Sequence, residues 1–121
     1  MQIPDHAKKI EISGATVPFF MYKEGEDTVY LFDTSDSEPP IPMVNAMAGL
    51  KLLDAPDIKL VMINHKLPMG LFDKIGENYK ITKQSTSDGN VKVIFEYLEG
   101  ESLTADLSQN SCRSEENTSE L

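Results

Sequence analysis

The sequence predicts an α+β fold: a two-layer α/β sandwich in which two helices cover one face of a mixed four-stranded sheet, with an N-terminal β-hairpin added. Three observations predict it. Thr28–Phe32 and Ile58–Ile63 are short runs of strand-forming residues, separated by a stretch whose apolar residues recur at helical spacing. Val91, Val93, Phe95 and Tyr97 mark one face of an amphipathic strand that follows an Asp88-Gly89 turn. The order strand, helix, strand, helix, strand, strand buries its apolar faces most simply as one layer of helices on one side of a sheet.

The elements follow in chain order. Residues 9–22 read as extended, with Ile10 and Ile12 alternating, a turn at Ser13-Gly14 and a β-prone stretch from Val17 to Tyr22. Pro18 removes a backbone donor, so this stretch is expected to form an edge strand. The charged turn Lys23–Asp27 leads into Thr28–Phe32, which closes a hairpin and opens the main unit, residues 28–98. The first helix is expected from Pro42, whose missing N–H suits the first turn, to Pro56. Met43, Met47, Leu50 and Leu53 form its apolar face with Ala46 beside them, and Asn45 and Lys51 point elsewhere. Ile58–Ile63 reads as a strand buried on both faces or nearly so. A shorter helix is expected after Pro68, with Leu71, Phe72 and Ile75 inward and Gly76 as its C-cap. Tyr79, Ile81 and Lys83 share one face of the next strand, which pairs with 91–97 as an antiparallel hairpin. The strand-helix-strand crossover makes the first two strands of the main unit parallel.

With 121 residues the chain is long enough for one core and too short for two. Its net charge is −9, and the excess of acid is densest in 99–121, a polar segment without aromatics that reads as a disordered tail. Nucleic acid is excluded as an expected partner, because no basic face is available to neutralise phosphates and Lys8-Lys9 is the only basic pair. No apolar run reaches the length of a membrane span, and the N-terminus carries no signal-like apolar region, so a cytoplasmic location without membrane association is expected. The lone cysteine, Cys112, has no internal disulfide partner and reads as an exposed free thiol. Arg113–Leu121 resembles the in-frame translation of a sequencing-library adapter, which leaves open whether the natural chain continues past Cys112.

Two short motifs carry a family resemblance. Asp33 ends the first strand of the main unit, and Pro39-Pro40-Ile41-Pro42 follows at the mouth of the first helix. This resembles the TusA-like (SirA-like) sulfur carriers, whose signature is an Asp, a short loop and then Cys-Pro-x-Pro. Pro40 and Pro42 match the two prolines, and Pro39 stands at the cysteine position. Asp36-Ser37 replaces the Gly-Leu usual in the loop. A related uncharacterised branch, often associated with hemerythrin-like domains, carries Pro-Pro-x-Pro here and an Asn-His element after the second strand. Asn64-His65-Lys66-Leu67-Pro68 is similar to that element. The resemblance spans roughly residues 28–98 and implies the TusA-like fold. Sulfur carriage needs a thiolate as nucleophile and carrier, and proline offers none, so no persulfide chemistry is expected at residue 39.

The candidate surface is therefore Pro39, Pro40 and Pro42 together with Asn64, His65 and Pro68, since both segments follow parallel strands and belong at one end of the sheet. The expected function is a non-catalytic module that binds a protein partner or a small ligand and needs no cofactor. The alternative is a redox-linked module holding a metal or haem through His65. Met43 and Met47 lie four apart, Met62 and Met69 flank His65, and thioethers with imidazole suit soft metals or haem iron. Against this stands the commoner use of methionine as core filler. His65 could equally hydrogen-bond the Pro39-Pro40 loop or be simply structural or exposed. Asp33, Asp36 and Glu38 precede the first helix and either favour its positive end or form an acidic rim. No glycine-rich phosphate loop and no Cys-x-x-Cys is present.

Overall fold

The computed structural model describes residues 5–76 and 78–98. Cys112, the 99–121 tail and the adapter-like Arg113–Leu121 lie outside the described residues. The described elements are β1 (Lys8–Ile10), β2 (Phe19–Glu24), β3 (Asp27–Asp33), α1 (Ile41–Leu50), β4 (Ile58–Asn64), α2 (Met69–Ile75), β5 (Tyr79–Ser85) and β6 (Val91–Tyr97). The class is α+β with a mixed sheet and two helices, as expected, but the strands form one six-stranded sheet ordered β1-β2-β3-β4-β6-β5. The four-stranded sheet with an appended hairpin is thereby corrected. β2 pairs along its whole length with β3, so the N-terminal strands continue the sheet.

Local chemistry explains the joins. β2 and β3 are linked by a two-residue turn in which Gly25 takes φ +65°, a conformation costly for residues with a Cβ. β3 and β4 run parallel through α1, whereas β4 pairs β6 antiparallel and β6 pairs β5 antiparallel. Gly89, at φ +88°, turns the last hairpin, and Thr86 accepts the Asn90 N–H on its hydroxyl oxygen at 3.0 Å. The expectation that the stretch around Pro18 forms an edge is overturned. Pro18 lies just before β2, outside the ladder, so β2 is flanked by β1 and β3 without losing a strand hydrogen bond.

The core lies between the helices and one face of the sheet. Phe19, Phe32, Leu60, Met62, Val93 and Phe95 from the strands meet Met47, Leu50, Leu71 and Ile75 from the helices. The Phe19 and Phe32 rings, opposite each other on β2 and β3, stack at 4.8 Å between centroids. The other face carries a second cluster of Val29, Leu31, Val61 and Ile63 with Phe20, Tyr22 and Ile94, to which neither helix contributes. At one end of that face a charged row crosses four strands. Lys59 Nζ lies 3.3 Å from Asp27 and 3.8 Å from Glu96, and Lys80 Nζ lies 3.9 Å from Glu96.

α1 is shorter and more deeply buried than its periodicity predicts. It ends at Leu50, six residues before Pro56, although Leu53 is still buried beyond it. Asn45, expected to point away from the core, is fully buried. The reason is the β1–β2 connection, which crosses the flank of α1 and brings Ile12, Ala15 and Val17 against the core. Gly14, at φ +87°, passes so near α1 that a Cβ there would lie 3.7 Å from the Ala48 Cβ. In α2, Leu71 and Ile75 are buried as expected and Phe72 is only partly so, with the Lys83 ammonium 5.6 Å from its ring centre. His6 sits edge-on to Tyr22, and its Nε2 lies 3.2 Å from the Lys23 carbonyl oxygen.

Candidate functional site

Parallel β3 and β4 both deliver their C-terminal ends to the same end of the sheet, and this brings the two proline-bearing loops together. Thr34 N–H donates to the Ile63 carbonyl at 2.8 Å, extending the β3–β4 ladder by one step. The buried Thr34 hydroxyl shares its proton between Asn64 Oδ1 at 3.0 Å and the Ile63 carbonyl at 3.2 Å. Asn64 Nδ2 in turn donates to the Lys66 carbonyl at 2.8 Å, so one buried amide fixes the path of the chain leaving β4. Asn64 thus holds the surface together from below.

The result is a hollow of about 450 Å³ between the first turn of α1 and the start of α2. All six residues singled out from the sequence line it: Pro39, Pro40, Pro42, Asn64, His65 and Pro68. Pro40 occupies the N-cap position of α1, Pro42 stands buried in its first turn, and the Pro39–Pro40 peptide is cis. Lys66 and Leu67, within the Asn64–Pro68 segment, line it too, whereas the sequence reading missed Met69, Gly70 and Leu71 as lining groups, together with the role of Met43. Periodicity places Met43 on the core-facing side of α1. It is instead 36% exposed and faces α2, with its Cε 3.5 Å from where a Gly70 Cβ would stand. Among the described residues the exposed large apolar side chains are Ile41, Met43 and Met69, the last two in the lining and Ile41 between the lining prolines in sequence. An apolar proline turn before a helix that starts on Met-Gly-Leu is the signal that could have found this mouth.

The other candidates separate cleanly. His65 is exposed, and among the described residues no hydrogen bond or ion pair engages its ring, so a hydrogen bond to the Pro39-Pro40 loop is not made. Met62 is fully buried in the core and Met47 nearly so, leaving Met43 and Met69 as the thioethers that share the hollow with His65. Among the described residues no group of three or more His, Cys, Asp or Glu side chains converges on a point. Asp33 accepts the Ser35 N–H at 2.8 Å and closes a turn. The first turn of α1 holds no acidic side chain, and no side chain caps its N-terminus by a hydrogen bond.

No described helix is long and apolar enough to cross a membrane. No protein-family model matches the chain, and neither does any curated protein or solved structure.

Proposed function

We propose that the chain is a non-catalytic binding module of TusA-like fold that captures an apolar ligand or an apolar side chain of a partner protein in the hollow between α1 and α2. The observation that carries this reading is the gathering of exposed apolar side chains, Met43 and Met69 with the proline turn, around one concavity of ligand-binding size. Prolines hold such a surface open at little conformational cost, and methionines adapt it to different occupants. The Pro-Pro-x-Pro and Asn-His elements support the kinship, and Pro39 at the position of the sulfur-carrying cysteine argues against persulfide transfer.

The neutral dye Nile red tests the reading. Its fluorescence should rise and shift to the blue on adding the protein, and Gly70→Leu, which drives a side chain into the hollow from an exposed position, should abolish the change with the fold intact by circular dichroism. An unchanged response in the Gly70→Leu protein would show that the hollow is not the binding surface.

A second reading rests on His65, Met43 and Met69 lining the same hollow, a nitrogen and two thioethers suited to Cu(I) or haem iron. Anaerobic titration with Cu(I) and with haem, compared with His65→Ala, separates it from the first. Equal binding by the two proteins removes His65 as a ligand.

A further inference from the structure

The lining of the hollow has a charge pattern at odds with the rest of the chain. The protein carries a net charge of −9, yet the lining holds one formal cation, Lys66, one imidazole, His65, and no carboxylate. Both of these residues are exposed and adjacent on the loop leaving β4. The loop's path is set by Asn64, whose amide donates to the Lys66 carbonyl. The neighbouring Asp33 carboxylate is engaged by the Ser35 N–H. Glu38, directly before Pro39, is the nearest acid in sequence to the lining. The remaining lining is proline, methionine, leucine and glycine apart from Asn64, whose side chain is committed to Thr34 and Lys66.

Such a site distinguishes ligands by their heads as well as their tails. We propose that the hollow takes an amphipathic monoanion, a medium-chain carboxylate whose alkyl chain lies among Met43, Leu67, Pro68 and Met69 and whose carboxylate meets Lys66 and His65 at the rim. This rests on the binding-module reading above and adds the chemical class of the ligand. The apolar lining accounts for the tail, since alkyl burial is non-directional and tolerant of shape. The head group is selected by charge, because a carboxylate is attracted by an exposed ammonium whereas an alkylammonium of equal length is repelled. Glu38 adds negative charge directly before the lining residue Pro39, so the selection is modest and responds to salt.

Decanoate, decanol and decylamine, each below its aggregation limit, should be titrated against the protein by two-dimensional amide NMR at neutral pH. The expected result is shifts at the amides of 65–67 and 69–71 with all three, and decanoate tighter than decanol by at least about threefold, the scale of one exposed charge pair. Lys66→Gln should erase that preference without weakening decanol, and Glu38→Gln should increase it. Equal affinities for the three ligands, or a preference for decylamine, would overturn the carboxylate assignment while leaving the binding-module reading standing. Shifts scattered away from the hollow, or none, would overturn both.

Discussion

Asn45 on α1 and Thr16 in the β1–β2 connection hold each other through both side chains. Asn45 Oδ1 accepts the backbone N–H of Thr16 at 2.8 Å and of Val17 at 3.1 Å, while its Nδ2 donates to Thr16 Oγ1 and to the Ile41 carbonyl, both at 2.9 Å. All of the amide's groups are used in a site closed to water. Asn45→Ala should therefore cost roughly 2–4 kcal/mol of stability, because it strands buried backbone donors as well as losing its own bonds. Urea unfolding monitored by tyrosine fluorescence measures this, and a change under about 0.5 kcal/mol would mean that the connection does not lie on the helix. Asn45→Asp should be nearly as costly, since the acid retains the acceptors and loses the two donors.

Gly49 sits where α1 presses closest on the sheet. A Cβ there would stand 2.8 Å from Leu60 Cδ1 and 3.0 Å from Phe19 Cε2. Alanine in place of a helical glycine ordinarily gains about 1 kcal/mol. Here the overlap in a filled core should reverse the sign, leaving Gly49→Ala less stable by about 1–2 kcal/mol. The double variant with Leu60→Val should recover part of the loss, and a cycle of the four proteins in urea reads the coupling.

Gly70 is the contrasting case. It too lies in a helix, but a Cβ there would meet only Met43 Cε, at an ordinary 3.5 Å. Gly70→Ala should raise stability by about 0.5–1 kcal/mol. A lower melting temperature than the parent would contradict the open geometry described at this position.

The Thr34–Asn64 pair predicts the rigidity of the hollow. Thr34→Val keeps the shape and removes the hydroxyl proton from Asn64 Oδ1, at a cost of about 1–3 kcal/mol for a buried acceptor left unpaired. Amide exchange at 65–67 should quicken beyond what the global loss of stability explains, and Thr34→Ser should restore slow exchange. Uniform quickening across the molecule would instead assign the pair to general stability.

Alkaline pH should weaken the fold. Burial pushes the Tyr79 phenol from 10.0 up to about 12, and it also raises Tyr22, with Glu24 adding to the effect. Lys59 is raised chiefly by its hydrogen bond to Asp27. Each of these groups holds its proton more tightly in the fold than in the open chain. Their contribution is therefore complete below the unfolded-state pKa and falls as pH rises through the folded value. For Tyr79 the window is pH 10 to about 12, worth roughly 2–3 kcal/mol. Tyr79→Phe should flatten the stability profile in that window. A tyrosinate absorbance titration complete by pH 10.5 with the fold intact would refute the assignment.

Much of the architecture was legible in the residues because it depends on local chemistry. The alternation of Val91, Val93 and Phe95, the turn at Asp88-Gly89 and the helical spacing of Leu71 and Ile75 each act within a few neighbours along the chain. The two loops of the hollow could be placed together because consecutive parallel strands carry their C-terminal ends to one side. Asn45 was misread, since periodicity assigns a polar residue to solvent and is blind to a distant segment crossing the helix. Yet Asn45 is the only polar side chain between Ile41 and Leu50, and a helix apolar almost all round is one buried on more than one side.

Composition, turn chemistry and spacing by themselves determined the class of fold, the helix–strand order and the final hairpin, and two short motifs singled out six of the residues around the hollow. Only the tertiary structure decided that the first two strands extend the sheet, that Asn45 is internal and that Met43 opens onto the hollow. The physical reason is range. Strand and helix preferences arise between residues close in sequence, whereas burial is set by whichever surfaces meet after the chain has closed, and Thr16 reaches Asn45 across 29 positions.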